Sequence, residues 1–284
     1  MKIKIWGCRG SIATPGPTTL RYGGNSTCLE IRPAEGQIII VDAGSGLRNL
    51  GKVLSQEKDV TRIRFFFTHS HWDHLVGFPF FQPAYSDRFS ITLCSGQHVQ
   101  DSIRKYLSHQ MEPPYFPVAF HLLKAKFDFR CERPDMKPGN CHFDRVEIHP
   151  VPLNHPNGGY GYKFIERGKT FVFLTDNELG SKHEGGLSRE KYIDFCRGVD
   201  LLFHDAQYTD EEYKLTQGWG HSTFVDATDI AIDAGVKSLG LFHHDPDRID
   251  DDLDRQVEFC RERIRLANSA VECFAATEGM SIEL

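Results

Sequence analysis

Short runs in which apolar and polar residues alternate, or in which apolar residues cluster, recur along the whole chain. Period-two alternation marks a strand with one face buried, and a short continuous apolar run marks a strand buried on both faces. On that basis strands are predicted at 2–6, 27–32, 37–42, 63–67, 90–94, 146–152, 159–165 and 170–175. Three more follow at 200–204, 238–242 and 271–275. Several of these runs end in a polar cluster and give way to a helical pattern, the signature of layered α/β structure. The clearest helix follows Asp247, where Ile249, Leu253, Val257, Cys260 and Ile264 recur at helical spacing. Asp250, Asp251, Asp252 and Asp254 crowd its start and Arg261, Arg263 and Arg265 its end, an order that complements the helix dipole. The segment from Met111 to Val118 is dense in proline and aromatic residues and reads as a rigid irregular loop, either packed on the surface or lining a cleft or subunit contact.

Composition narrows the class. The 284 residues fit one α/β domain spanning 1–284, and 40% apolar with 25% charged residues is ordinary globular material. No apolar run reaches the eighteen or so residues of a membrane span, and the N-terminal strand pattern lacks the features of a signal peptide. A cytoplasmic protein without membrane contact is expected. The eight cysteines include no CxxC pair, so reduced thiols are the default; Cys131, Cys141 and His142 match no standard zinc-finger spacing. A net charge of −6 argues against broad affinity for nucleic acid, which depends on Lys and Arg neutralising phosphates.

Fourteen histidines focus attention on 63–74, where the apolar run Ile63-Arg64-Phe65-Phe66-Phe67 leads into Thr68-His69-Ser70-His71-Trp72-Asp73-His74. Four potential metal ligands fall within six positions. His69 and His71, two apart, can face one point, while Asp73 and His74 can turn toward a second ion. Imidazole and carboxylate donors suit zinc, and also manganese or iron.

HxHxDH after an apolar strand resembles the signature of the metallo-β-lactamase superfamily, which implies its αββα four-layer sandwich. Further blocks of that family can be matched in order: Ile38-Ile39-Ile40-Val41-Asp42-Ala43-Gly44, Leu153-Asn154-His155, Phe171-Val172-Phe173-Leu174-Thr175-Asp176 and Leu241-Phe242-His243. The resemblance implies two divalent ions. His69, His71 and His155 would hold one, Asp73, His74 and His243 the other, and Asp176 would bridge them, with Asp42 orienting a ligand from behind. His183, His204 and His244 are not expected to be ligands, although His244 lies close enough in sequence to reach substrate.

A dinuclear site lowers the pKa of a bridging water and aims it at an electrophile, which does not by itself choose among lactams, thioesters, lactones and phosphodiesters. Two further blocks point to phosphodiesters. Phe203-His204-Asp205-Ala206-Gln207 and Gly220-His221-Ser222-Thr223 resemble the HEAT-like and HST blocks of the ribonuclease Z branch. By that resemblance His221, held by Asp205, stabilises the transition state or protonates the leaving oxygen, and Asp73 orients the nucleophile. Asp205 stands where that branch has glutamate, and no long Gly/Pro- and Lys-rich insertion resembling a tRNA-gripping arm is present in the sequence. A small or cyclic nucleotide-type phosphodiester is therefore expected before RNA, with lactam, lactone or thioester hydrolysis as the remaining reading. The glycine-rich opening, Gly7-Cys8-Arg9-Gly10-Ser11 and Arg21-Tyr22-Gly23-Gly24-Asn25, resembles that of phosphodiesterase-type members and offers Arg9, Arg21 and Asn25 as phosphate contacts. Family analogy points to a homodimer.

Overall fold

A computed structural model of the chain describes residues 1–95, 103–129, 141–143 and 145–284, with backbone alone for 95 and 141–143. Cys131 and the side chains of Cys141 and His142 lie outside the described residues. The strands are β1 (Lys2–Gly7), β2 (Cys28–Arg32), β3 (Ile38–Val41), β4 (Arg62–Phe67), β5 (Ser90–Ser95), β6 (Lys126–Asp128) and β7 (Cys141–Phe143). They continue with β8 (Val146–Pro152), β9 (Tyr160–Glu166), β10 (Lys169–Leu174), β11 (Leu201–Asp205), β12 (Ser238–Phe242), β13 (Glu272–Ala275) and β14 (Ser281–Glu283). The α-helices are α1 (Leu47–Gln56), α2 (Ile103–Gln110), α3 (Arg189–Cys196), α4 (Asp210–Thr216), α5 (Phe224–Ala234) and α6 (Asp250–Leu266).

Two sheets result, ordered β14-β1-β2-β3-β4-β5-β6 and β13-β12-β11-β10-β9-β8-β7. Their facing sides share one apolar core, because alternate residues of each strand point inward. Ile39, Val41 and Phe66 of the first sheet meet Phe164, Phe171, Phe173, Phe203 and Phe242 of the second. The other face of each strand meets helices. Ile40, Ile63, Phe65 and Phe67 pack against α1 and α2, while Val172, Leu174, Leu202 and Leu241 pack against α3, α5 and α6. This is the four-layer αββα arrangement anticipated from the sequence.

Parallel pairing sets where the chemistry can sit. β3 and β4 run parallel, as do β10, β11 and β12, so their C-terminal ends gather at one edge of each sheet. The segments leaving those ends carry Asp42, the His69–His74 stretch, Asp176, Asp205 and His243.

The predicted strands appear within a residue or two of their expected limits. β6, β7 and β14 were not anticipated; each has three residues, too few for a periodic pattern, and is held by its neighbour's backbone. α6 buries Leu253, Val257, Cys260 and Ile264 as expected, but Ile249 caps the helix from outside and stays partly exposed. Met111 is buried and Phe116 packs beside it, whereas Tyr115 remains exposed. Cys8, Cys28, Cys94, Cys196, Cys260 and Cys273 are buried free thiols. Among the described residues no helix is long and apolar enough to cross a membrane.

Candidate metal centre

β4 buries Phe65 and Phe67 beneath α1, which fixes where its chain emerges. Asp42, at the end of the parallel neighbour β3, then organises the emerging loop. Its wholly buried carboxylate accepts from the Thr68 N–H at 2.8 Å, the Thr68 hydroxyl at 2.7 Å and the His74 Nδ1–H at 2.8 Å. Burial raises the Asp42 pKa against the opposing pull of His74 and Thr68. Three non-glycine residues just past strand ends adopt left-handed backbone: Asp42 (φ 61°), Asp176 (φ 51°) and His243 (φ 61°). Such conformations are sparsely populated, and here all three turn a side chain of this cluster off a rigid strand.

The side chains fall into two groups that share Asp176. His69, His71, His155 and Asp176 form one group, and Asp73, His74, Asp176 and His243 the other, with the donor atoms of each group within 4.8 Å of one another. In the first, His155 Nε2 lies 3.1 Å from His71 Nδ1, and Asp176 Oδ2 lies 3.5 Å from His69 Nε2. In the second, Asp176 Oδ1 lies 3.3 Å from both His74 Nε2 and His243 Nε2, and Asp73 Oδ2 lies 3.1 Å and 3.2 Å from the same two nitrogens. One oxygen of Asp176 thus serves each group, the geometry of a bridging carboxylate.

These residues fit divalent cations. His74, His155 and His243 engage Asp42, the Gly220 carbonyl and Gln207 Oε1 through Nδ1, at 2.8, 2.9 and 2.8 Å. That pattern puts the proton on Nδ1 and leaves the Nε2 lone pair facing inward, as outer partners of metal-bound histidines do. The buried Nε2 atom of His69 has no hydrogen-bond partner, a costly arrangement that a cation relieves. Burial pushes His155 down to about 3 and His69 well below its ordinary value, keeping both rings neutral and able to ligate. Burial alone would raise the Asp176 carboxyl, but His243, His74 and His69 outweigh it and hold the group well below the usual carboxylate range.

A third group adjoins both. His221 Nδ1–H donates to Asp205 Oδ2 at 2.7 Å, while Asp205 Oδ1 accepts from the Gln207 and Ser222 N–H groups, each at 3.1 Å. The His221 ring stacks on His243 with centroids 4.8 Å apart and lies 5.5 Å from the His155 ring. Burial disfavours its charged form, yet Asp205, with Asp176 and Asp73 behind it, pushes His221 up to about 9. Thr223 caps α5, its hydroxyl accepting from the Asp226 N–H.

The beta-lactamase superfamily domain matches residues 37–244, a stretch that contains every proposed metal ligand. The chain belongs to the beta-lactamase superfamily. Ribonuclease Z from Lactiplantibacillus plantarum is 24% identical over 258 residues, covering 77% of this chain and 80% of that protein. Among solved structures, a diphosphatase of the PhnP family superposes with a TM-score of 0.66 at 17% identity, covering 100% of this chain and 97% of its own. The short form of human tRNase Z gives 0.63 at 19% identity, covering 100% and 99%. This superfamily member is a metal-dependent hydrolase, and its ligand groups are those expected for divalent metal binding.

The superfamily resemblance singled out all seven proposed ligands, Asp42, Asp205 and His221, and the structure brings their side chains together. It gives other partners to the expected phosphate contacts. Arg9 is wholly buried, its guanidinium donating to the carbonyls of Gly23, Asp245 and Arg248 at 2.9, 3.1 and 2.6 Å. Arg21 pairs with Asp251 and Asp254 of α6, and Asn25 bridges Glu278 and Ser45. These three side chains tie the opening loop to the C-terminal region. His244 is buried with Nε2–H on the Ala276 carbonyl, out of reach of substrate.

Other contributors were missed. Gly10 must lack a side chain, because a Cβ there would lie 2.4 Å from His243 Nδ1. Gly220, at φ 98°, is doubly constrained, since its Cβ would lie 2.0 Å from His155 Nδ1. The Ser11 N–H donates to Asp73 Oδ2 at 2.9 Å. Glu178 is wholly buried and accepts from the Tyr213 hydroxyl (2.6 Å), His183 Nε2–H (2.6 Å) and the N–H groups of Gly218 (2.7 Å) and Gly220 (2.8 Å). Its own N–H donates to the Asn154 carbonyl at 2.9 Å. It therefore secures both the residue before His155 and the glycine whose carbonyl orients that ring. The Gly-rich context of 7–11 and 218–220 was the available signal for the two glycines.

Proposed function

We propose that this chain is a dinuclear phosphodiesterase acting on a small or cyclic nucleotide-type phosphodiester. The observation that carries the reading is the His221–Asp205 pair, 2.7 Å apart and set against both ligand groups. Hydrolysis of a phosphodiester must stabilise charge on the phosphoryl oxygens and deliver a proton to the departing oxygen, and a buried imidazole held by a carboxylate does both.

His69, His71, His155 and Asp176 would hold one divalent ion, and Asp73, His74, His243 and Asp176 the other, zinc matching the imidazole-rich donor set. Bound there, the ions supply an activated water and Lewis-acid charge at the phosphoryl oxygens. Asp73, its carboxylate fixed by the Ser11 N–H, accepts a hydrogen bond from the attacking water and orients it. Asp205 holds the His221 ring through Nδ1, leaving Nε2 to carry the proton that the leaving oxygen receives. The net charge of −6 supports a small ester over a long polyanion. RNA hydrolysis is the second reading, favoured by the relatives named ribonuclease Z.

The test is His221→Ala in zinc-loaded protein, assayed on phosphodiesters and in parallel on thioesters and lactones. Loss of about 10²- to 10⁴-fold in diester turnover is expected, the range for removing a general acid. Undiminished diester turnover, or activity confined to thioesters or lactones, contradicts the proposal.

A further inference from the structure

Three exposed apolar side chains each lie one residue along the chain from a group in contact with the ligand cluster. Ile12 follows Ser11, whose N–H holds Asp73. Trp72 separates the ligands His71 and Asp73 in a short 3-10 turn. Trp219 precedes Gly220, whose carbonyl takes the His155 proton. They are 63%, 67% and 63% exposed, whereas Trp6, the remaining tryptophan, is partly packed with its N–H on Glu30.

Burial locates the opening. Of the seven proposed ligands only His71 is partly exposed, so solvent reaches the cluster on the side of His71. Trp72 is bonded to His71, and the Gly220 carbonyl next to Trp219 holds His155, whose Nε2 lies 3.1 Å from His71 Nδ1. The backbone bearing Trp219 is also held in place: Glu178 takes the N–H groups on either side of it, and the Trp219 N–H donates to Thr216 O at 3.0 Å. An indole kept in water on a fixed backbone is a preorganised contact, because little ordering remains when a ring stacks on it.

We propose that Trp72 and Trp219 form a stacking subsite for a planar ring of the substrate, so that the ester carries a nucleobase or a comparable aromatic group. The inference rests on the phosphodiesterase reading for the word ester, while the subsite stands on the two indoles. Stacking tolerates any base, so purines bind more tightly than pyrimidines through contact area alone.

Calorimetry on the zinc-loaded protein compares adenosine 5′-monophosphate with ribose 5-phosphate, which share sugar and phosphate and differ by the ring. The nucleotide is expected to bind about tenfold or more tightly and to quench tryptophan fluorescence. Trp219→Ala and Trp72→Ala each reduce that ratio, and the double variant brings it near one. A ratio near one in the wild type, or one unchanged in both variants, overturns the subsite. Wild-type protein that shows the ratio but hydrolyses no phosphodiester supports the subsite and removes the proposed activity. Protein that hydrolyses diesters with a ratio of one does the reverse.

Discussion

Replacing Asp42 with Asn preserves side-chain volume and alters one oxygen. The Thr68 N–H, 2.8 Å from Oδ1, keeps the amide oxygen on its side. The new NH2 then stands where Oδ2 accepted from the Thr68 hydroxyl at 2.7 Å and from His74 Nδ1–H at 2.8 Å. A donor at that place forces His74 Nδ1 to accept and moves the imidazole proton to Nε2. That nitrogen faces Asp73 and Asp176 at 3.1 and 3.3 Å, and once protonated it has no lone pair for a cation. Loss of such an outer partner costs about 10- to 100-fold in metal affinity, or about 1.4–2.8 kcal/mol. The tautomer change places Asp42→Asn at the upper end. The metal-free fold loses less, about 1–2 kcal/mol, because the Thr68 hydroxyl can rotate to accept and only charge-assisted bonds become neutral ones. Zinc competition against a chelator of known affinity, with thermal melts of the metal-free protein, measures both. The weaker zinc constant should rise by about 100-fold and the other change little. Two zinc constants within about twofold of wild type, in a protein that melts normally, would refute the role given to Asp42.

Glu178→Gln should keep the fold but weaken zinc at the His155 group by about tenfold, visible as a changed absorption spectrum on cobalt titration; an unchanged spectrum and affinity would make Glu178 merely structural. Arg9→Met strands three carbonyl oxygens and should cost about 3–5 kcal/mol in urea unfolding, whereas a phosphate contact would instead raise KM at unchanged stability. Asp200 is held at about 2, burial being outweighed by Lys237 and Thr170. A depressed carboxyl stabilises the fold above its unfolded pKa of about 4 and loses that contribution as pH falls toward 2. Because water reaches its lysine partners, Asp200→Asn should cost under about 1 kcal/mol at neutral pH, and its gap to wild type should close between about pH 4 and 2; a gap that persists at pH 2 counts against the assignment.

How much was legible in the sequence depended on distance along the chain. The proposed ligands of His69–His74 share six consecutive positions after a plainly apolar run, so residue type and spacing alone marked them. The helix α6 was equally local, its apolar period and its charge order both lying within one segment. Arg9 was misread because two of its three carbonyl partners, on Asp245 and Arg248, lie more than two hundred residues away. Whether a guanidinium beside glycines faces phosphate or carbonyl oxygens is decided by that tertiary contact. Gly10, Gln207 and Glu178 were missed for the same reason, since each acts on a histidine or carbonyl supplied by another element. His155, Asp176 and His243 are single residues without a local pattern of their own, and only family resemblance assigned them as ligands.

The proposed reaction needs two ions and His221 acting together on a phosphodiester. Metal-quantified protein assayed on bis(4-nitrophenyl) phosphate and on cyclic nucleotides, before and after chelation and again after zinc is restored, tests it most directly. Two metal ions per chain, turnover abolished by chelation, and recovery with zinc are expected. Two bound ions with no turnover of any phosphodiester would contradict it.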